Sequence, residues 1–204
     1  MNLTVIPLTG KKKDGKFCFF EELKKILQCN KFTIKNGDVL VISSKFISNS
    51  QGRILEINNS KVCNKAKEIA KKFNSNEKFM EIVFRESDKI LGGVTGFVMS
   101  TTNGILAPNA GIDKSNSKGT KIILYPNEPY NFAEELKRKI FLELNLHVGI
   151  IIVDSRLMPA RIGTTGVAIA CAGIEPTKDL RGEKDLDGNP LKVTFLATAD
   201  NLAS

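Results

Sequence analysis

The stretch that most constrains the fold of this chain is the apolar run VGIIIV at residues 148–153, which is followed at once by Asp154 and Ser155. A run rich in β-branched residues is typical of a strand that is covered on both faces. We expect this strand to end at Asp154, where ligands collect in sheets packed by helices. Asp154, Ser155 and Arg161 then form a candidate anion or metal site. The alternative is an aspartate that caps a turn and an arginine in solvent.

Length and composition describe an ordinary globular chain. Its 204 residues are 42% hydrophobic and 25% charged, which leaves room for one large domain or two small ones. The apolar segments fall short of the roughly 20 residues that cross a bilayer, and the N-terminus lacks the long apolar centre of a signal peptide. We expect a cytoplasmic protein.

The residues available as metal ligands point to oxygen coordination. The 4 cysteines form no CxxC pair, and His147 is the single histidine. Zinc sites and His-based triads are therefore disfavoured, and any metal is expected to be Mg²⁺ or Mn²⁺. The net charge of +8 favours an anionic partner without choosing among nucleotides, phosphorylated metabolites and RNA.

Polar residues also follow a second predicted strand, at residues 38–44. Ser43, Ser44 and Lys45 stand at its end, and further polar residues follow them: Ser48, Gln51, Gly52 and Arg53. Hydroxyls and a cation just past a strand could receive phosphates. The spacing is not that of a Walker loop. The alternative is a polar loop with a surface lysine.

A third polar segment, PNAGIDKSNSKG at residues 108–119, is predicted to be a structured loop with a role in recognition. Asp113 is its one carboxylate. The amides of Asn109 and Asn116 could meet a base or ribose, and Gly111 would let the backbone approach a ligand closely.

Periodicity predicts the remaining elements. Helices are expected at residues 17–29, 60–73, 77–86 and 133–144. Strands are expected at residues 3–8, 121–124, 166–173 and 191–196, with a hairpin around Asn103-Gly104.

Four motifs together resemble the coenzyme F420-0 gamma-glutamyl ligase family: SSKFIS…GR, NAGIDKSN, the apolar strand into DS, and GVAIACAG…DLRGEKDLDG. The resemblance covers nearly the whole chain. It implies an α+β (mixed α/β) fold with mixed sheets and packed helices over residues 1–204, with two interleaved subdomains as a variant. It also implies a GTP-dependent amide ligase that adds L-glutamate to the lactyl-phospho side chain of F420-0, uses a divalent metal and forms a homodimer.

Carried over by position, the resemblance implies a set of site residues. The metal ligands fall on Asp113, Asp154 and the hydroxyl of Ser155, and the nucleotide contacts fall on Ser43, Ser44 and Asn116. Lys45 joins the nucleotide set from the polar cluster, and Asp154 and Arg161 are the catalytic candidates. Oxygen ligands suit Mg²⁺ or Mn²⁺, which can bridge phosphate oxygens. In the implied mechanism the substrate carboxylate attacks the γ-phosphate of GTP, and the glutamate amine then displaces phosphate from the acyl phosphate.

The chain also departs from the family pattern. Asn49 and Gln51 stand where the family commonly has lysine and glutamate, and Leu157, Met158 and Ala160 alter the segment after Asp154. Family members continue past the equivalent of ADNLAS through a Met-Gly-Glu segment that contributes to the site. The resemblance is therefore to a divergent or C-terminally shortened member.

The leading hypothesis is a GTP- and metal-dependent glutamate ligase whose partners are F420-0, L-glutamate and GTP, with no membrane. One rival is a non-catalytic nucleotide or metabolite sensor on the same scaffold, and another is a ligase for a different phosphorylated acid. An RNA-binding module would rest on charge alone. With 2 tyrosines and no tryptophan, the chain lacks the aromatic platform of single-strand binders, so nucleic acid is not the expected partner.

Overall fold

The computed structural model of the protein describes residues 3–13, 15–59, 61–114, 121–157 and 162–204. Helices and small mixed sheets alternate along this part of the chain, which confirms the predicted α+β class. The chain forms two compact units. The first contains Met1–Lys35 and Ser44–Asn127, and the second contains Asn36–Ser43 and Glu128–Ser204. The single domain over residues 1–204 stays a prediction.

The described elements have the following bounds. The helices are α1 (Phe19–Cys29), α2 (Ser44–Gln51), α3 (Asn64–Lys72), α4 (Glu77–Glu86), α5 (Pro129–Leu144) and α6 (Thr198–Ala203). The strands are β1 (Val39–Ser43), β2 (Ile54–Glu56), β3 (Lys89–Val94), β4 (Phe97–Thr102), β5 (Ile105–Pro108), β6 (Lys121–Ile123), β7 (Gly149–Leu157), β8 (Thr164–Ala172), β9 (Lys178–Asp179) and β10 (Phe195–Leu196). Two short 3₁₀ turns lie at Ile57–Asn59 and Asn109–Gly111.

The first unit packs α3 and α4 against the antiparallel sheet β3-β4-β5. Helix α4 begins at its predicted residue because the side chain of Asn76 accepts a hydrogen bond from the N–H of Phe79 at 3.0 Å. Phe79 and Met80 are then buried in the core of the unit. The predicted hairpin is also confirmed, with Asn103-Gly104 as the turn between β4 and β5. A separate antiparallel pair joins β2 to β6.

The second unit is built around β7, which pairs in parallel with β1 and antiparallel with β8. Ile150, Ile151 and Ile152 are 0% exposed because strands flank them on both edges and α5 packs on the sheet. Helix α6 packs on β8 at Gly166, where an added Cβ would lie 1.9 Å from the carbonyl oxygen of Ala203. This close approach requires glycine at position 166.

The end predicted for the central strand is wrong. Strand β7 continues through Asp154 and Ser155 to Leu157, because β8 pairs with its backbone over this whole length. A register shift between Ile152 and Val153 marks a bulge. The apolar run therefore shows where the strand is buried, and the pairing with β8 decides where it ends.

Three other local predictions fail. The strand expected at residues 38–44 ends at Ser43, and the polar segment after it is the helix α2 rather than a loop. Ile47 of this helix is 0% exposed, and its Phe46 ring packs on Phe17 and Phe19 with centroids 5.4 and 5.3 Å apart. Residues 3–8 are described but form no strand, since none of the described strands pairs with them. In the segment 191–196, only Phe195–Leu196 is a strand.

In the part of the chain that the structure describes, every helix is too short or too polar to cross a bilayer.

Candidate functional site

Asp113 is fixed firmly by its backbone in the first unit. Its N–H donates to the carbonyl of Ile123, and the N–H of Ile123 donates to the carbonyl of Asp113, both at 2.9 Å. The two bonds form an isolated antiparallel bridge to β6. The carboxylate forms an ion pair with Lys45 from the start of α2. The structure thus brings a predicted metal ligand together with a predicted nucleotide-binding residue.

The turn before Asp113 is held by neighbouring strands. Asn109, Ala110 and Gly111 all have positive φ angles, of 49°, 56° and 66°. The side-chain oxygen of Asn109 accepts from the N–H of Val98 at 3.0 Å, and the hydroxyl of Ser100 accepts from the N–H of Ala110 at 2.9 Å. The amide oxygen of Asn109, which we expected to meet a base or ribose, is therefore used to hold the loop on β4.

The structure also gives Gly111 a packing role. An added Cβ would lie 2.1 Å from Cδ2 of Tyr125, whose side chain is buried. The close approach that this glycine permits in the structure is to an aromatic ring of the same unit. The position of Asp113 depends on that contact, because only one residue, Ile112, separates Asp113 from Gly111.

Lys114 is a site-adjacent cation that sequence analysis missed. Its ammonium lies 3.1 Å from the ring centroid of the buried Phe79. Burial lowers the pKa of Lys114, while the negative face of the ring favours the charged form. The sequence shows Lys114 directly after Asp113, the one carboxylate of the loop. Nothing in the sequence indicates that Lys114 contacts Phe79 on α4.

Two polar side chains that follow β1 in the sequence stabilise the first unit. Gln51 donates to the carbonyl of Asn127 at 2.9 Å and accepts from the N–H of Asn127 at 2.8 Å. Arg53 forms an ion pair with Glu86, and its Nε donates to the carbonyl of Tyr125 at 3.0 Å. We had placed Gln51 and Arg53 in a phosphate-receiving cluster, and the structure instead shows both engaged with protein groups.

In the second unit, Ser43 and Asp154 lie at the same end of the β1–β7 pair. Ser43 is the last residue of β1 and stands opposite Val153. Asp154 is half-buried and Ser155 is exposed. Since successive side chains of a strand point to opposite faces, Asp154 shares its face with Arg156 rather than with Ser155. Arg156 is a second cation that sequence analysis missed, because the strand was expected to end before it.

Several predicted site residues stay untested by the geometry. Asn116 and Arg161 lie outside the described residues. Asp113 belongs to the first unit and Asp154 to the second, so their sharing of one ion stays a prediction. Within the described ranges, no group of three or more His, Cys, Asp or Glu side chains is placed to hold a metal.

The acidic residues after β8 are engaged within an exposed hairpin. Asp179 pairs with Arg181, and the guanidinium hydrogen bonds hold the pKa of Asp179 below its usual value. Glu183 pairs with Lys178, and Asp185 accepts backbone hydrogen bonds within the hairpin turn. These contacts make the acidic residues part of a charged hairpin loop.

Comparison with known proteins decides the family. The sequence profile of the F420-0:Gamma-glutamyl ligase family matches residues 8–204. The chain belongs to this family. Membership in the F420-0:Gamma-glutamyl ligase family makes the protein an enzyme of the ligase class, and it confirms the resemblance found in the sequence motifs.

Curated relatives support the assignment over most of their length. A coenzyme F420:L-glutamate ligase of Methanopyrus kandleri is 30% identical over 205 residues, which cover 100% of this chain and 79% of the relative. The proteins of the same name from Archaeoglobus fulgidus and Methanocaldococcus jannaschii are 33% and 36% identical. Those alignments cover 100% and 85% of this chain, and 80% and 70% of the relatives.

Two oxygen atoms on α2 of this family member lack partners. Ser48 Oγ and Asn49 Oδ1 are buried and accept or donate no hydrogen bond within the described part of the chain. Ser48 is 1% exposed, so water does not readily replace the missing partner. Asn49 is also a position at which the family resemblance implies a lysine, and the asparagine supplies no cation there.

The donor chemistry fits the divalent metal that the family implies. Carboxylates and a hydroxyl are the hard oxygen ligands that Mg²⁺ and Mn²⁺ prefer. The structure adds an observation at Asp113, since its carboxylate already holds a cation, the ammonium of Lys45. Asp113 is therefore a carboxylate that has a cation as its partner.

Proposed function

We propose that this ligase forms an amide bond between L-glutamate and the phospholactyl side chain of coenzyme F420-0, with GTP as the co-substrate and Mg²⁺ or Mn²⁺ as the metal. The relatives that carry the name coenzyme F420:L-glutamate ligase support the substrates. The observation that carries the proposal is the fixed carboxylate of Asp113 with Lys45 beside it, because a nucleotide–metal site needs an anion for the metal and a cation for phosphate.

The residues of the site divide by role. Asp113 and Asp154 would hold the metal, with Ser155 as a further oxygen ligand. Ser43, Ser44, Lys45 and Asn116 would bind the nucleotide. When bound, the metal supplies charge neutralisation at the phosphate oxygens. A lysine and serine hydroxyls supply the donors that orient a triphosphate.

The reaction takes place in two transfers. A carboxylate oxygen of F420-0 attacks the γ-phosphorus of GTP, the bond to GDP breaks, and an acyl phosphate forms. The amine of L-glutamate then attacks the acyl carbon, phosphate leaves, and the amine loses its proton. Arg161 would offset the charge of the transferring phosphoryl group, and positioning with electrostatics provides most of the acceleration.

A product assay tests the proposal. The purified chain is incubated with F420-0, L-glutamate, GTP and Mn²⁺, and mass spectrometry follows the addition of glutamate while phosphate release is measured. Asp154→Asn should abolish metal-dependent GTP binding in calorimetry. Asp185→Asn removes the same charge from the exposed hairpin and should leave binding unchanged. GTP binding by Asp154→Asn that equals the wild type would refute the site.

The same preparation tests two remaining expectations. Substituting ATP for GTP in the assay should lower the rate.

We also propose a homodimer, and sedimentation velocity should then give about twice the mass of the 22.4 kDa chain. A sedimenting monomer with full activity would reject the dimer while leaving the chemistry intact.

A further inference from the structure

The ion pair between Lys45 and Asp113 occupies a carboxylate that the proposed function assigns to a metal. The two side chains are 34% and 26% exposed, so solvent screens the pair only in part. Partial burial makes such a pair stronger than an open surface pair. The ammonium of Lys45 is therefore the cation that lies against the carboxylate of Asp113.

The two partners differ in their freedom to move. The backbone of Asp113 is held by two hydrogen bonds to Ile123, and its short side chain leaves the carboxylate only a small range of positions. Lys45 reaches the carboxylate on a flexible four-carbon chain from α2. If a divalent cation reaches Asp113, Lys45 is the partner that can withdraw.

Electrostatics require that withdrawal. An ammonium and a divalent ion a few ångströms apart repel each other, so the two cations compete for the negative charge of Asp113. Lys114, the next residue after Asp113, is already engaged over the ring of Phe79. It adds positive charge to the same segment.

We propose that Lys45 is the resident counter-cation of Asp113 and competes with the divalent metal for its carboxylate. This inference rests on the proposed metal role of Asp113. Lys45 acts through Asp113 as a positioning residue. It keeps the carboxylate neutralised in the metal-free enzyme, and it sets the metal concentration at which the site fills.

Manganese titration of the nucleotide-free chain, followed by electron paramagnetic resonance of the free ion, tests the competition. Lys45→Met should bind Mn²⁺ about five- to tenfold more tightly than the wild type, because the competing ammonium is gone. Lys45→Gln should do the same, and Lys45→Arg should keep the weaker wild-type affinity. Lys137→Met is the matched control: Lys137 is also 34% exposed and pairs with Glu134. The Lys137→Met variant should bind Mn²⁺ with the same affinity as the wild type.

The outcomes separate the proposed metal role of Asp113 from the proposed competition by Lys45. If Asp113→Asn abolishes binding but Lys45→Met binds Mn²⁺ no more tightly than the wild type, the competition is wrong and the metal role of Asp113 stands. If Asp113→Asn leaves binding intact, Asp113 is not a ligand and both proposals fail at this residue. Absence of Mn²⁺ binding in both the wild type and Lys45→Met, with and without GTP, also overturns both.

Discussion

Arg53 and Glu86 form an ion pair that joins the segment after α2 to the last residue of α4. The side chains are 28% and 22% exposed. The Nε of Arg53 also donates to the carbonyl of Tyr125 at 3.0 Å. One guanidinium therefore connects three segments of the first unit, and its loss would remove a hydrogen-bond partner from both the Glu86 carboxylate and the Tyr125 carbonyl.

Arg53→Met should lower the free energy of unfolding by about 1–3 kcal/mol, since it strands the partly buried groups that Arg53 pairs. Urea unfolding measures this change. Lys65→Met breaks a pair with Glu68 in which both side chains are about two-thirds exposed, and it should cost no more than about 0.5 kcal/mol. Equal losses for the two variants would contradict the bridging role of Arg53.

Gly111→Ala should destabilise the protein more than Gly104→Ala. Both glycines have positive φ, of 66° and 72°, so both substitutions strain the backbone by about 1–2 kcal/mol. Only at Gly111 would the new Cβ meet a side chain, the ring of Tyr125, and such overpacking adds about 1–3 kcal/mol. Urea unfolding gives the free energy of unfolding of each variant. Equal losses in the two variants would show that the Tyr125 ring moves aside without an energetic penalty.

Acid should destabilise the protein through Glu81. Its carboxylate accepts from the N–H of Cys63 at 2.8 Å and from Nε of Arg85 at 2.6 Å. The hydrogen bonds from Cys63, and then Arg85, lower its pKa in the folded state. A lowered folded-state pKa gives stability that is present above the unfolded-state value of about 4.3 and is lost as pH falls through the folded-state value.

Unfolding free energies measured between neutral pH and pH 3 should therefore fall more steeply for the wild type than for Glu81→Gln. The glutamine keeps an acceptor for Cys63 but does not titrate. Parallel pH profiles for the two proteins would mean that other carboxylates account for the acid response.

Asn49→Lys should tighten GTP binding by about tenfold, because it adds a cation to α2, the helix that begins with the proposed nucleotide-binding residues Ser44 and Lys45. The unpaired Oδ1 of Asn49 disappears in the same substitution. Asn49→Met matches the length without the charge and should not tighten binding in calorimetry. Improvement in both variants would assign the gain to packing rather than to charge.

The elements with strong local signals were predictable. Helix α4 begins and ends at its predicted residues, because Asn76 caps it and its apolar positions recur at helical spacing. The hairpin at Asn103-Gly104 follows from turn chemistry alone. Residues 3–8 have the apolar pattern of a strand but no partner among the described strands, and a pattern cannot supply one.

In the candidate site, too, the sequence indicated residues but not their contacts. Asp154 and Lys45 were candidates because polar residues follow apolar runs, and Asp113 was a candidate as the one carboxylate of a polar loop and through the family resemblance. Their contacts were not predicted, and neither were Lys114 over Phe79 or Arg156 on the face of Asp154. The sequence pattern placed Gln51 and Arg53 among candidate ligand-binding residues, but their partners are Asn127 and Glu86, which are distant in the sequence.

The sequence alone indicated where most of the helices and the buried central strand lie, which residues are candidates for the site, and which family the chain resembles. These properties depend on residue type and on spacing over a few turns or strand positions. Only the tertiary structure decided that Lys45 neutralises Asp113, that Gly111 accommodates Tyr125, and that β7 continues past Asp154. Each of these depends on a contact between residues distant in the chain, and the packing of the whole unit fixes which distant groups meet.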